Sequence, residues 1–324
     1  MRFLSCPTPA PSPERAAPRH RRSRLATRVS LLPLAVLSSL LMACSDNAGA
    51  GDSSPGTGGG TPTPVPVAGP GGATGNSTFS PPAGYTLAWA DEFDTDGLPN
   101  EAKWGWDTFM NRQGWFNNEK QYYADHRAEN AHVEGGRLLI TARKETLSTA
   151  PDWGGQAYTS ARLLTRGKAA WTYGFFEIRA KLACGQGTWP AIWMLGTGGR
   201  WPDDGELDIM ENIGGRPLNV FSTIHTAAGY GAHGFGSNQN ITSPCTTFHN
   251  YQMFWTPTGI QFGIDGAMYV DYKKPSDPKG WPFDNPQFML LNVAIGGDLG
   301  GVIDDAIFPS TMEVDYVRVY QAPR

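Results

Sequence analysis

From Tyr85 onward the chain is built of short segments in which apolar and polar residues alternate, separated by Gly, Pro, Asn and Asp. A period of two places successive side chains on opposite faces of an extended strand. In Gly174-Phe-Phe-Glu-Ile-Arg-Ala-Lys-Leu182, for example, Phe176, Ile178, Ala180 and Leu182 share one face, and Glu177, Arg179 and Lys181 share the other. Comparable runs are Arg137-Leu-Leu-Ile-Thr-Ala142, Gly259-Ile-Gln-Phe-Gly-Ile264, Phe288–Ile295 and Met312–Tyr320. Ile264-Asp-Gly-Ala267 carries Asp-Gly at its centre, the signal of a tight hairpin. No stretch sustains a helical period and no segment repeats. Many short strands within about 240 residues predict an all-β chain, a β-sandwich or jelly roll.

Composition narrows the function. Eleven Trp and an aromatic content of 11 % supply many rings to bury or to present to a ligand, while charged residues make up only 17 %. The formal net charge of −4 hides an asymmetry: residues 1–43 hold seven arginines and one acid, which leaves −10 on the remainder. A body this acidic repels a phosphate backbone, so nucleic acid is excluded as a partner. Beyond the N-terminal segment no apolar run is long enough to span a membrane.

The N-terminus reads as an address. Arg19–Arg28 form a basic region, Val29–Ala43 an apolar run ending in a small residue, the layout of a secretory signal peptide over 1–43. Leu41-Met-Ala-Cys44 resembles the bacterial lipobox, which implies that Cys44 becomes the lipidated first residue of an exported envelope lipoprotein at the outer membrane or cell surface. Residues 44–82, rich in Gly, Pro, Ser and Thr, follow as a flexible tether. Residues 83–324 are then the folded domain, expected as a monomer. Within it, Cys184 and Cys245 permit one disulfide once export is accepted, two buried thiols being the alternative.

The chemistry concentrates in Trp201-Pro-Asp-Asp-Gly-Glu-Leu-Asp-Ile-Met-Glu-Asn-Ile213. Strict alternation sets Glu206 and Asp208 on one face and Leu207 and Ile209 on the other, and leaves Glu211 on the wrong face by one residue. If Ile209 and Met210 together oppose a single partner, a β-bulge returns Glu211 to the acidic face. Two carboxylates converging to about 5–5.5 Å suit a retaining glycosidase, one attacking the anomeric carbon and the other serving as acid and then base. Asp208 between them can hydrogen-bond the nucleophile and hold its charge in place, and shared repulsion raises the proton affinity of one member. Three acids in a row are otherwise an ordinary solvated strand face; flanking tryptophans and an apolar reverse side argue against that here.

Gly205-Glu-Leu-Asp-Ile-Met-Glu211 resembles the catalytic signature of glycoside hydrolase family 16 in the bulged form of its laminarinase-like, endo-β-1,3-glucanase branch. Gly187-Thr-Trp-Pro-Ala-Ile-Trp-Met-Leu195, Leu291-Asn-Val-Ala-Ile-Gly-Gly297, Trp89-Ala-Asp-Glu-Phe93 and Val314–Tyr320 are similar to further blocks of the family, in its order over residues 85–321. The resemblance implies two curved antiparallel sheets with an open cleft, Glu206 as nucleophile, Asp208 as its helper and Glu211 as acid/base, and a β-glucan of the laminarin or lichenan type as substrate. It also implies cleft positions for Trp115, Asn118, Glu119, Trp189, Trp201 and His225, with Asn292 projecting inward by alternation and Trp193 left open between cleft and core. Glu92, the Gly136 carbonyl and Asp315 match positions that hold a structural calcium in many relatives, two surface acids being the plainer alternative; catalysis itself calls for no cofactor. Agar or carrageenan hydrolysis, transglycosylation and glucan binding without chemistry are the competing readings. Binding alone is disfavoured, because relatives of that kind lack the paired glutamates.

Overall fold

The computed structural model describes residues 79–323. The expected signal peptide, Cys44 and most of the tether lie outside the described residues. In chain order the strands are β1 (Thr86–Asp91), β2 (Gly105–Trp106), β3 (Gln121–Tyr123), β4 (Ala131–Val133), β5 (Leu138–Ala142), β6 (Tyr158–Ser160) and β7 (Arg162–Leu164). They continue as β8 (Gly174–Lys181), β9 (Thr188–Gly196), β10 (Glu206–Asn212), β11 (Asn219–His225), β12 (Phe235–Asn240) and β13 (His249–Thr256). The last four are β14 (Gly259–Ile264), β15 (Ala267–Lys273), β16 (Gln287–Ile295) and β17 (Ser310–Gln321), with a single short α-helix among the described residues, α1 (Gly297–Gly300), after β16.

Two large sheets form, as the alternation requires. One runs β15-β14-β13-β8-β17-β5-β4, with β1 also paired to β17; the other runs β12-β11-β10-β9-β16-β7-β2. All their pairings are antiparallel, while β3 and β6 make a small parallel pair apart from them. The apolar faces meet in one core. Phe176, Ile178 and Ala180 of β8 are fully buried there with Ile192 and Met194 of β9 and Met289, Leu291 and Val293 of β16. Burying each of the larger apolar side chains contributes about 1.5–3 kcal/mol. This is the sandwich of two antiparallel sheets that the sequence pattern predicts.

The Asp265-Gly266 hairpin joins β14 to β15, and both residues have positive φ, 51° and 80°. That is the conformation for which Asn/Asp-Gly pairs are favoured in two-residue turns. Cys184 and Cys245 are bonded, with Cα atoms 5.7 Å apart. The bond joins segments flanking β8 and β13, neighbours in one sheet, beside the main-chain bond from Leu182 N–H to the Pro244 carbonyl. Arg179 and Glu177 of β8 each pair across to a neighbouring strand. Arg179 meets Asp315, and Glu177 accepts from Gln252 and Tyr316.

Candidate active site

The second sheet owes its chemistry to its register. Leu195, Trp193 and Ala191 of β9 stand opposite Phe288, Leu290 and Asn292 of β16, and Leu290 and Asn292 in turn oppose Leu164 and Arg162 of β7. All eight line one cavity of about 480 Å³, while the intervening residues of the same strands enter the core. Period-two alternation thus divides each strand between fold and site.

On β10 that alternation is interrupted once. Glu206, Leu207 and Asp208 pair in step with His225, Ile224 and Thr223 of β11, and Glu211 resumes opposite Phe221. Ile209 and Met210 therefore share the single residue Ser222, and both are buried in the core. The bulge returns Glu211 to the cavity, which Glu206, Asp208 and Glu211 line together. Gly205 precedes them with φ +79°, and a Cβ there would lie 2.5 Å from the Phe283 ring, so only glycine leads into this strand without a clash.

Each glutamate carboxyl accepts from a tryptophan, and Asp208 lies at ion-pair distance from a histidine. Trp201 donates its indole N–H to Glu206 Oε2 across 2.5 Å, and Trp189 donates to Glu211 Oε1 across 2.9 Å. His225 Nε2 stands 3.1 Å from Asp208 Oδ2. Burial pushes the Glu206 carboxyl up to about 8, and the neighbouring Asp208 charge adds to this; His225 and the Trp201 N–H act in the opposite sense. Burial also raises Asp208, and burial together with the charges of Asp208 and Glu206 holds Glu211 well above the ordinary carboxylate range. The cluster retains protons at neutral pH, the condition a general acid needs.

The sugar-contact candidates divide. Trp189, Trp201, Glu119 and Asn292 line the cavity, and so does Trp193. Asn292 accepts from the Trp193 indole and donates to the Tyr123 hydroxyl, which donates to Glu119. His225 stands beside Asp208 on β11 and is not among the residues lining the cavity. Two more of the candidates do not line the cavity. Trp115 is 5 % exposed and lies under the cavity floor, its indole N–H tied to Asn111 and its ring edge-on to Tyr123. Asn118 is exposed and donates to Asp298, whereas Asn117 lines the cavity. Both asparagines have positive φ, 55° and 58°, the left-handed region that Asn enters more readily than most residues.

Arg162 is a cavity residue that the sequence reading missed. It is 7 % exposed, pairs with the buried Asp107 at 2.9 Å, and lies over both the Trp115 and Trp193 rings, 5.0 and 4.6 Å from their centroids. A cation between two apolar strand neighbours, Ala161 and Leu163, both core residues, was the available signal.

Both calcium-candidate carboxylates are held in ion pairs. Glu92 receives the Arg318 guanidinium on both oxygens at 2.8 Å, which lowers its proton affinity, and Asp315 receives Arg179 at 2.6 Å. Calcium takes six to eight oxygen ligands, and here both carboxylates are engaged by guanidinium donors.

Residues 117–318 match the family model for glycosyl hydrolases family 16. A β-glucanase from Rhodothermus marinus is 46 % identical over 252 residues, spanning 73 % of this chain and 85 % of that protein. Among solved structures, SCLam, a non-specific endo-β-1,3(4)-glucanase of the same family, superposes with a TM-score of 0.75 at 49 % identity, over 77 % of this chain and 96 % of that one. The laminarinase from Rhodothermus marinus superposes with a TM-score of 0.70 at 44 % identity, over 74 % and 98 %. The match includes the whole of β10 and most of the cavity, and the chain belongs to glycosyl hydrolases family 16.

Proposed function

We propose that this chain is a retaining endo-hydrolase of β-1,3- or β-1,3-1,4-glucan acting by double displacement. The observation that carries the reading is the β10 bulge, which brings Glu206, Asp208 and Glu211 to one cavity wall. Glu206 attacks the anomeric carbon, and Glu211 gives its proton to the departing glycosidic oxygen. A glycosyl–enzyme ester forms and the aglycone leaves. Glu211, now ionised, takes a proton from water, whose oxygen attacks the same carbon and frees Glu206. Asp208 holds a proton against the nucleophile and moderates its charge between the two steps, with His225 setting the orientation of Asp208. Trp189 and Trp201 fix the two glutamates through their indole N–H groups and offer ring surface to the sugar.

Incubation with laminarin, lichenan, agarose and xyloglucan, followed by sizing of the products, tests the assignment. Short oligosaccharides from laminarin or lichenan are expected. Cleavage confined to agarose or xyloglucan, or products lengthened by transfer in place of hydrolysis, would overturn it.

For location, the proposal is an exported monomer anchored through Cys44 at the outer membrane or cell surface. The support is the order of basic region, apolar run, Leu41-Met-Ala-Cys44 and Gly/Pro-rich tether, together with the disulfide.

A further inference from the structure

Phe109 and Phe116 keep 63 % and 55 % of their surface exposed although both side chains are wholly apolar. Their ring centroids are 6.2 Å apart, with planes tilted by 48°, and both rings line the cavity that holds the carboxylates. Adjacent exposed rings are disfavoured in water and mark a surface that something covers. The loop carrying them is braced against tucking them in. Asp107 at its start is paired with Arg162. The buried Asn111 donates to the Tyr123 carbonyl and to Asp152, and it accepts from Trp115. Gly154 packs so tightly beneath that an added Cβ would lie 2.6 Å from the Asn111 carbonyl oxygen. Phe109 itself rests edge-on against Trp115 at 5.5 Å.

Position gives this pair its meaning. Phe109 follows shortly after β2, the outer strand of the cavity sheet, with β9, β16 and β7 between β2 and β10. Four inter-strand steps amount to roughly 19 Å, the length of several glucosyl units. We infer that Phe109 and Phe116 form an outer subsite that takes the apolar faces of β-1,3-linked glucosyl units some distance from the bond being cleaved; this rests on the glucanase reading above. The C–H faces of a pyranose pack on flat rings as other apolar groups do. A β-1,3-linked run turns from one sugar to the next and matches two tilted platforms, whereas a flat β-1,4-linked ribbon matches coplanar ones. The braced loop holds both rings in place before the glucan arrives, which limits the ordering cost of binding.

The test compares laminarihexaose with laminaritriose as substrates for wild type, F109L/F116L and F109Y/F116Y. Leucine keeps apolar volume and removes the flat face; tyrosine keeps the face and controls for folding. The ratio of kcat/KM for hexaose over triose is expected to fall about tenfold in the leucine variant, mainly through KM, and to recover in the tyrosine variant. An unchanged ratio in the leucine variant overturns the subsite. Calorimetric binding of the same two oligosaccharides in a Glu206→Gln background separates the subsite from the enzymatic reading. Wild type that leaves laminarin intact sinks the hydrolase, yet hexaose binding weakened by F109L/F116L still supports the outer site. Equal hexaose affinity with and without the two rings sinks the outer site alone.

Discussion

The Ser222 hydroxyl donates to the main-chain carbonyl of Ile209 across 2.7 Å, at the point where β10 places two residues against one on β11. Because a carbonyl has no proton to give, Ser222 is the donor there, and the Tyr269 hydroxyl at 2.5 Å donates to Ser222 in turn. A two-bond relay thus ties down the carbonyl of a bulge residue. Ser222→Ala leaves the Ile209 carbonyl and the Tyr269 hydroxyl short of a partner in a buried site, at a cost of about 1–3 kcal/mol. Urea unfolding should show a lowered midpoint at constant slope; an unchanged midpoint would mean that the bulge stands without the serine.

The consequence of the bulge is a pair of glutamates on one wall. Glu206→Gln and Glu211→Gln should each lower turnover by several orders of magnitude while the circular dichroism spectrum is preserved. With an activated aryl glycoside, Glu211→Ala should regain turnover in azide and yield a β-glycosyl azide, since the ester on Glu206 still forms when the leaving group needs no proton. Product of inverted configuration from the wild type would sink the retaining mechanism.

Much of this was legible before the structure because it depends on local pattern. The step from Asp208 to Glu211 breaks period two by one residue, and a bulge is the local way to restore it. Asp265-Gly266 likewise marked its own turn through the backbone freedom of its two residues. What was not legible depends on contacts across the fold. Trp115 and Trp193 look alike in sequence, yet Asn111 and Tyr123 draw one under the floor, while Asn292 holds the other at the cavity wall. That Asn117 and not Asn118 lines the cavity goes with a contact far away in sequence, from Asn118 to Asp298. Arg162 reads as a strand charge until Asp107, far away in sequence, is seen to neutralise it.

The Cys184–Cys245 bond spans a sequence separation of 61. A loop of that size should contribute about 2–4 kcal/mol of stability. Thiol titration of the denatured, unreduced chain beginning at residue 45 should find no free sulfhydryl, and reduction should lower the melting temperature. Two titratable thiols before reduction would remove the bond from the account of stability.

Anchoring is decided by the mature N-terminus. The wild type is expected to sediment with membranes, and Cys44→Ser to be released or misprocessed. Mass spectrometry should find a diacylglyceryl group on Cys44. An unmodified first residue at or beyond Cys44 would refute the anchor and leave the enzyme assignment untouched.

The buried acid cluster also makes stability depend on pH. A carboxyl that holds its proton more tightly in the folded chain takes up protons on folding. Its stabilising share is therefore complete below the unfolded value of about 4 and is lost as pH rises through the folded one. For Glu206, raised to about 8 first by burial and then by the Asp208 charge, the loss extends across the window from about 4 to about 8. Asp208 and Glu211 are raised in the same direction and steepen it. The melting temperature should accordingly fall as pH is raised from about 5 to about 8. Asp208→Asn removes one titratable carboxyl from the cluster, so it should flatten that slope and bring the acid limb of kcat/KM to lower pH, because no second carboxylate charge then builds up beside Glu206 as it ionises. A melting temperature just as steep in Asp208→Asn would place the pH dependence elsewhere in the protein, and an unshifted acid limb would show that Asp208 does not govern the charge of Glu206.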